Sequence, residues 1–408
     1  MDARVLVLSN GALSQSDSNG RTVAMLLRNY KPSQLAQFYT YGIPDEKFCD
    51  RFYRVTDGEA LRSFIYRGEY GGPSNNQASE DGPVREVKKK KKTPLKMLIR
   101  EFIWKYGCWC RTNFWKWVDE FKPNIILINL GDNIFLPNLA IMVAKKYNIP
   151  IIVFSTEEYP FKKYNYITKK RSLFYWIFNK KLNSIYIELS KYVKKGYFNS
   201  PSLKREYEKR YSYPCYIAMN TSQVKWIDNA EKKGVTKVSY IGNLGINRHI
   251  PLIEIANAIA NVCPGLKLDV YGRIPNNTVE AAFANCSNIN YKGFVKYDDV
   301  EKIIHESTLL VHAESKDPFY VRDLKFAFST KLADSISSGT PLLIYGDKTM
   351  AAIEFISEEK CAFVCTESSK LEEILKKALT DISARKYVLE HAKKTKIKYF
   401  NESTVDLL

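Results

Sequence analysis

Phe328-Ser-Thr-Lys-Leu-Ala-Asp-Ser-Ile-Ser-Ser-Gly-Thr-Pro-Leu-Leu-Ile-Tyr-Gly346 reads as one helix running into one strand. Ser329 and Thr330 open the helix as small hydroxyl residues, Lys331 and Asp334 stand in its first turns, Gly339 closes it, and 342–345 is apolar. A helix start offers free N–H groups and the positive end of the dipole, so with two hydroxyls and a lysine it attracts an anion. Asp334, about one turn beyond Ser329 and Lys331, is placed to accept from a ribose hydroxyl. The pattern fits a nucleotide diphosphate lying across this turn. It equally fits a Ser/Thr-capped helix with a glycine C-cap and a Pro-led strand, which needs no ligand.

Outward from this segment, short apolar runs alternate with helical patterns. Strands are predicted at 237–241, 267–271, 289–291, 308–312, 342–345 and 362–364. Helices are predicted near 250–262, 277–285, 297–306, 327–338, 349–357 and 369–380. That alternation marks βαβ units on a parallel sheet, one Rossmann-like domain over 221–382. The N-terminal half opens the same way, with strand 4–8, a glycine-bearing loop, helix 22–28, and strands at 35–40, 125–129 and 151–154. A chain of 408 residues is too long for one core. The expected fold is α/β, two Rossmann-like domains facing a cleft, the first over 1–220. Loops after the strands should line that cleft, because open α/β sheets gather ligands at their carboxyl edge.

Ile241-Gly-Asn-Leu-Gly-Ile-Asn-Arg-His249 is a second phosphate candidate: glycines let the backbone approach a pyrophosphate, and Arg248 brings forked donors. Without a ligand it is a tight turn. Tyr271-Gly-Arg273 and Lys292-Gly-Phe-Val295 each set a glycine just past a strand, as ordinary βα turns also do. Asn10-Gly11 and Ser18-Asn-Gly-Arg-Thr22 form the loop after the first strand, but Gly11 to Gly20 lacks G-x-G-x-x-G spacing, which disfavours a hydride-transfer enzyme. Asn129-Leu-Gly-Asp132 and Ser155-Thr-Glu-Glu-Tyr159 put carboxylates at strand ends, either as ligands of an acceptor hydroxyl or as solvated loop charges.

The 328–346 segment resembles the diphosphate- and ribose-binding helix of retaining, family 4-like glycosyltransferases with the GT-B fold, of the bacterial surface-polysaccharide type. Asp334 falls on the second acid of that family's paired-glutamate motif. The first acid, eight residues earlier, is replaced by Phe326, and Glu314 in Val311-His-Ala-Glu-Ser315 is the candidate substitute. The resemblance covers 236–380 best, the N-terminal strands and glycine loop moderately, and 43–120 hardly at all. It implies a donor diphosphate held by Gly242, Asn243, Arg248, Ser329, Thr330 and Lys331, and a ribose on Asp334. Gly272 would make general donor contact, Phe294 or Val295 would meet the base, and Gly20 would face the phosphates and the acceptor. Arg248 and Lys331 would then stabilise the leaving diphosphate, so neither metal nor cofactor is needed. Many members place a histidine beside the sugar in the first domain; none precedes His249 here, and Glu157 and Glu158 are the candidate replacements. The implied activity moves a hexose-like sugar from a nucleotide diphosphate to a hydroxyl of a lipid-linked glycan. Resemblance also sends a helix within 383–408 back to the N-terminal domain.

The formal net charge of +18 is unevenly placed. Residues 1–220 hold 37 Lys plus Arg against 20 Asp plus Glu, and 221–408 hold 25 against 24. The basic half carries a flexible segment at 68–94 with Lys88 to Lys92, then a helical pattern over 95–121. In that pattern Leu95, Ile99, Phe102, Ile103, Tyr106 and Cys110 form one apolar face, widened by Trp104, Trp109, Trp115 and Trp117. Three readings compete: a core helix, a nucleic-acid surface, or an anionic membrane surface with interfacial tryptophans. The membrane surface is the reading adopted, with no nucleic acid as partner. No apolar run is long enough to span a bilayer and the first strand starts near the N-terminus, so the expected place is the cytosol, peripheral on the inner membrane face. A non-catalytic nucleotide- or nucleic-acid-binding protein is the alternative, ranked second because the charge lies on the half without the better phosphate loops. Eight scattered cysteines and four unclustered histidines predict neither a disulfide framework nor a metal site.

Overall fold

The computed structural model describes residues 3–14, 18–74, 92–230 and 236–401. Two compact units divide them: residues up to 199 with 203–218 form the first, and 200–202 with 219–401 form the second.

The first unit is built on β1 (Val5–Leu8), β2 (Leu35–Tyr39), β3 (Arg51–Arg54), β4 (Gly72–Pro73), β5 (Ile125–Asn129), β6 (Ile151–Ser155), β7 (Val193–Phe198) and β8 (Cys215–Ile217). Their order across the sheet is β4-β3-β2-β1-β5-β6-β7-β8, parallel except for β4 against β3. The central strands β1, β2 and β6 are buried along their whole length, as continuous apolar runs covered on both faces should be. The outer strands were not legible because Arg-Phe-Tyr-Arg and Val-Lys-Lys-Gly-Tyr-Phe mix charge into short runs.

Residues 43–121, which the resemblance hardly covers, supply β3, β4 and three helices of this unit. Of the expected flexible segment, 75–91 lies outside the described residues. The single tryptophan helix is corrected to two, Pro94–Tyr106 and Thr112–Phe121, with the chain turning at Gly107. The reading of its tryptophans as a membrane surface is corrected too, because Trp104, Trp109 and Trp117 are buried as the core-helix alternative has them. Trp104 is 2% exposed, stacks on Phe135 at 3.9 Å and donates its indole N–H to Asp57 at 2.7 Å. Trp109 donates to the Trp104 carbonyl, and Trp117 packs on Tyr53 at 5.3 Å. The face that includes Leu95, Ile99, Phe102 and Tyr106 is instead the exposed one. Two apolar faces competed for one core, and the larger aromatic surfaces, with hydrogen-bond partners for their N–H groups, took it.

The second unit has β9 (Val238–Ile241), β10 (Leu268–Tyr271), β11 (Ile289–Gly293), β12 (Leu309–Ala313), β13 (Leu342–Tyr345) and β14 (Phe363–Cys365). All six are parallel, as predicted from the alternation, and their order is β11-β10-β9-β12-β13-β14. Val238, Tyr240, Val270 and Val311 pack there with Leu252, Ile255 and Leu375 from the helices. The helix Ile382–Thr395 belongs to this unit, where Arg385 is buried and donates to the Asn229 carbonyl at 2.8 Å. The expectation that it returns to the N-terminal domain is corrected accordingly. Among the described residues no helix is long and apolar enough to cross a membrane. All eight cysteines are free thiols.

Candidate functional site

Each sheet reverses direction once. In the second unit the chain runs from β9 outward to β10 and β11, then crosses to β12, so β9 and β12 are neighbours at a topological switch point. The loops leaving two such strands part, which opens a crevice at their carboxyl ends. Arg248, from the loop after β9, meets Glu314, directly after β12. Its Nη2 and Nε donate to Glu314 Oε2 at 2.6 and 3.2 Å, and Glu314 Oε1 lies 2.9 Å from His312 Nε2. Glu314 is 3% exposed. Burial pushes its carboxyl up, but the Arg248 guanidinium and the His312 hydrogen bond outweigh that and hold it well below the usual carboxylate range. A second tie spans the same point, from Asn247 Nδ2 to Asp317 Oδ2 at 3.0 Å.

The loop after β9 is strained. Ile246 and Asn247 sit at φ 55° and 60°, in the left-handed region that a β-branched isoleucine avoids. Gly242 donates to the Tyr271 carbonyl and Gly272 to the Gly293 carbonyl, both at 2.9 Å, so the turns after β9, β10 and β11 lie side by side. Gly272 has no room for a side chain: an added Cβ would stand 2.2 Å from the Gly242 carbonyl oxygen. Asn243 is exposed, and its Oδ1 accepts from Gly245 N. Phe294 is 60% exposed with the Arg273 guanidinium 4.3 Å from its ring, and Val295 is half-buried.

The opening segment forms the helix Thr330–Ser337 with Ser329 at the N-cap. Ser329 makes no side-chain cap, Thr330 is half-buried and Lys331 is exposed. Asp334 is buried, and its Oδ1 accepts from Ser222 Oγ at 2.8 Å, so a ribose hydroxyl reaching that oxygen competes with Ser222. Phe326, where the family motif has its first acid, is half-buried.

In the first unit the switch point falls between β1 and β5, and a cavity of about 1020 Å³ opens there. Its walls include Asn10 and Gly11 after β1, Asn129 at the end of β5 with Leu130 to Asn133 after it, and Thr156 and Tyr159 after β6. Buried Gln37 shapes the first loop by accepting from Leu13 N and donating to Ser9 Oγ and the Gly11 carbonyl. Gly20 packs against that loop so closely that a Cβ would stand 2.3 Å from the Ala12 carbonyl oxygen. Asp132 is the acid at the β5 end, accepting from Lys92 Nζ and the Tyr166 hydroxyl, while Tyr186 fixes the Gly131 carbonyl from below. Glu101 also lines the cavity; it accepts from Ile134 N and Phe135 N at 3.0 Å, yet burial pushes its carboxyl up to about 7.

Glu157 and Glu158, the expected acids, are not on this wall. Glu157 pairs with the buried Lys162 at 3.2 Å, and Glu158 is itself buried. Ser155 Oγ donates to the Glu157 carbonyl and folds the chain so that Thr156 and Tyr159 face the cavity instead. Asp132, Glu101 and Asp57 are the acids that line this cavity. Asp132 was visible as a strand-end acid; Glu101 was hidden in a helix.

The two parallel-sheet units together define the GT-B fold class. Solved structures bear this out along nearly the whole chain. Anabaena HepE, in complex with UDP, superposes with a TM-score of 0.63 at 10% identity, covering 98% of this chain and 96% of that one. A glycosyltransferase of Rickettsia africae gives 0.60 at 13% identity, covering 100% and 96%. Sucrose-phosphate synthase of Thermosynechococcus elongatus gives 0.60 at 10% identity, covering 98% and 95%. No family model matches the sequence, and no curated protein matches it.

Proposed function

We propose that the protein is a glycosyltransferase that moves a sugar from a nucleotide diphosphate to a hydroxyl of a glycan. The observation that carries this is the pair of half-buried Arg248 and buried Glu314 bridging the β9/β12 switch point beside a strained glycine loop. A fixed guanidinium at a strand-end crevice is what a leaving diphosphate needs, because it offers charge without reorganising when charge develops. Lys331 and the N–H groups at Ser329 to Lys331 add to it, Asp334 takes the ribose and Phe294 meets the base. Glu314 acts through Arg248, as a positioning residue. With these cations the leaving diphosphate needs no metal, and the resemblance of 328–346 to retaining transferases implies that the transfer retains configuration. In the first unit the cavity holds the acceptor, and Asp132, kept in place by Lys92 and Tyr166, orients its hydroxyl in the role first given to Glu157 and Glu158. The acceptor glycan is lipid-linked, and the basic first unit meets it at an anionic membrane face.

A thermal-shift panel of nucleotide diphosphates and their sugars tests the donor half, since a ligand that binds only the native state raises Tm. A rise with one diphosphate series, lost in Lys331→Ala, is expected. No rise with any of them sinks the reading. Asp132→Asn should leave that rise intact while lowering transfer at least tenfold.

A further inference from the structure

Three helices of the first unit, Pro94–Tyr106, Phe135–Tyr147 and Leu173–Ser190, enclose a groove of about 1190 Å³ that no step above uses. Its wall is apolar, from Phe102, Trp109, Leu139, Met142 and Ile177. Its lip is open to water: Phe102 is 53% and Met142 47% exposed, and Trp176 stands 59% exposed on the third helix. Lys105, Lys180 and Lys181 ring it, all exposed. Among the described residues none of the three is paired with a carboxylate. Glu101, the one acid in the wall, is turned to the backbone N–H groups of Ile134 and Phe135.

An apolar trough with a cationic rim complements an amphiphile that has a hydrocarbon tail and an anionic head. A second copy of the chain is the poorer occupant, because a self-complementary interface would set these lysines against their own copies. We propose that the groove takes the hydrocarbon chain of an anionic membrane lipid, with Lys105, Lys180 and Lys181 on its phosphate. Ile99, Glu101 and Trp104 line both this groove and the acceptor cavity, so a lipid held here lies one helix away from the glycan site. The inference rests on the lipid-linked acceptor reading and names the surface that meets it. It replaces the buried Trp104, Trp109 and Trp117 with the opposite face of the same segment.

Sedimentation of the full chain with phosphatidylglycerol/phosphatidylcholine vesicles, against pure phosphatidylcholine, tests it. Anionic vesicles should bind the parent, and the triple variant K105E/K180E/K181E should lower that partitioning at least tenfold. Phe102→Ser with Met142→Gln should lower it as well and remove the fraction that survives high salt, since that fraction is the apolar part. Vesicles with brominated acyl chains should quench tryptophan fluorescence in the parent and less in Trp176→Phe. Equal binding to both vesicle types, or binding unchanged by the charge reversal, overturns the proposal. So does a lipid-free dimer in sedimentation velocity that Phe102→Ser abolishes, because the groove then belongs to a second copy. Nucleotide thermal shifts run on the same variants should match the parent, which separates failure of this surface from failure of the donor site.

Discussion

Two buried carboxylates stand at the two switch points, and they are held in opposite ways. Glu314 is met by a guanidinium on one oxygen and an imidazole on the other, and it is held well below the usual carboxylate range. Glu101 is met by two backbone N–H groups, with Arg100 Nη1 no nearer than 3.6 Å, and burial takes it up to about 7. Desolvation is the largest influence on both. What separates them is whether a full positive charge is held in hydrogen-bond contact with the acid. The second unit thus presents a permanent charge, suited to a diphosphate, and the first presents a proton-poised wall, suited to neutral hydroxyls.

The comparison breaks most severely at Arg248. Arg248→Met leaves Glu314 buried without its cation, which should cost about 3–5 kcal/mol of stability in urea denaturation. The added change Glu314→Leu should restore much of it, and a loss under about 1 kcal/mol for the single variant would mean the pair is not desolvated. Donor binding should fall in both variants. Next is Lys331→Ala, where the side chain is exposed, so the fold should hold while turnover falls by about 10²-fold or more. Turnover within about twofold of the parent would remove Lys331 from the site. Gly272→Ala should cost about 1–3 kcal/mol and weaken the donor, because its Cβ has the Gly242 carbonyl 2.2 Å away.

The effect that is smallest per step of the variable sharpens the contrast through pH. Burial raises the Glu101 carboxyl from its ordinary 4.5 to about 7, so between them the folded state binds the extra proton. Stability should therefore fall as pH rises across that window, by up to about 1 kcal/mol per pH unit. Glu314 has the opposite sign: its contribution is full above 4.5 and is lost as pH falls through its depressed folded value. Glu101→Gln should flatten the neutral slope and leave the acid limb alone, as measured by Tm against pH. An unchanged neutral slope would show that the Glu101 proton is not coupled to folding.

The second sheet was legible because its strands are apolar runs spaced by helical periods, and each ends in a glycine, hydroxyl or acid that local chemistry explains. The first sheet was legible only at its centre. Arg51–Arg54 and Val193–Phe198 lie toward the edges, where a strand needs little apolar sequence, so the period that marks a strand is diluted.

By itself the sequence determined the α/β alternation, the glycine turns after β9, β10 and β11, the helix start at Ser329 and the placing of excess charge in the first half. Those properties are local, set by backbone sterics, capping and composition within a few residues. Tertiary structure alone decided that Arg248 spends its guanidinium on Glu314, 66 residues away. It also decided that Asp132 rather than Glu157 or Glu158 reaches the cavity, and that Trp104, Trp109 and Trp117 turn inward while Phe102 turns out. Each of these is a contest between alternatives the local pattern permits equally, and it is settled by which partner surface the rest of the chain brings near.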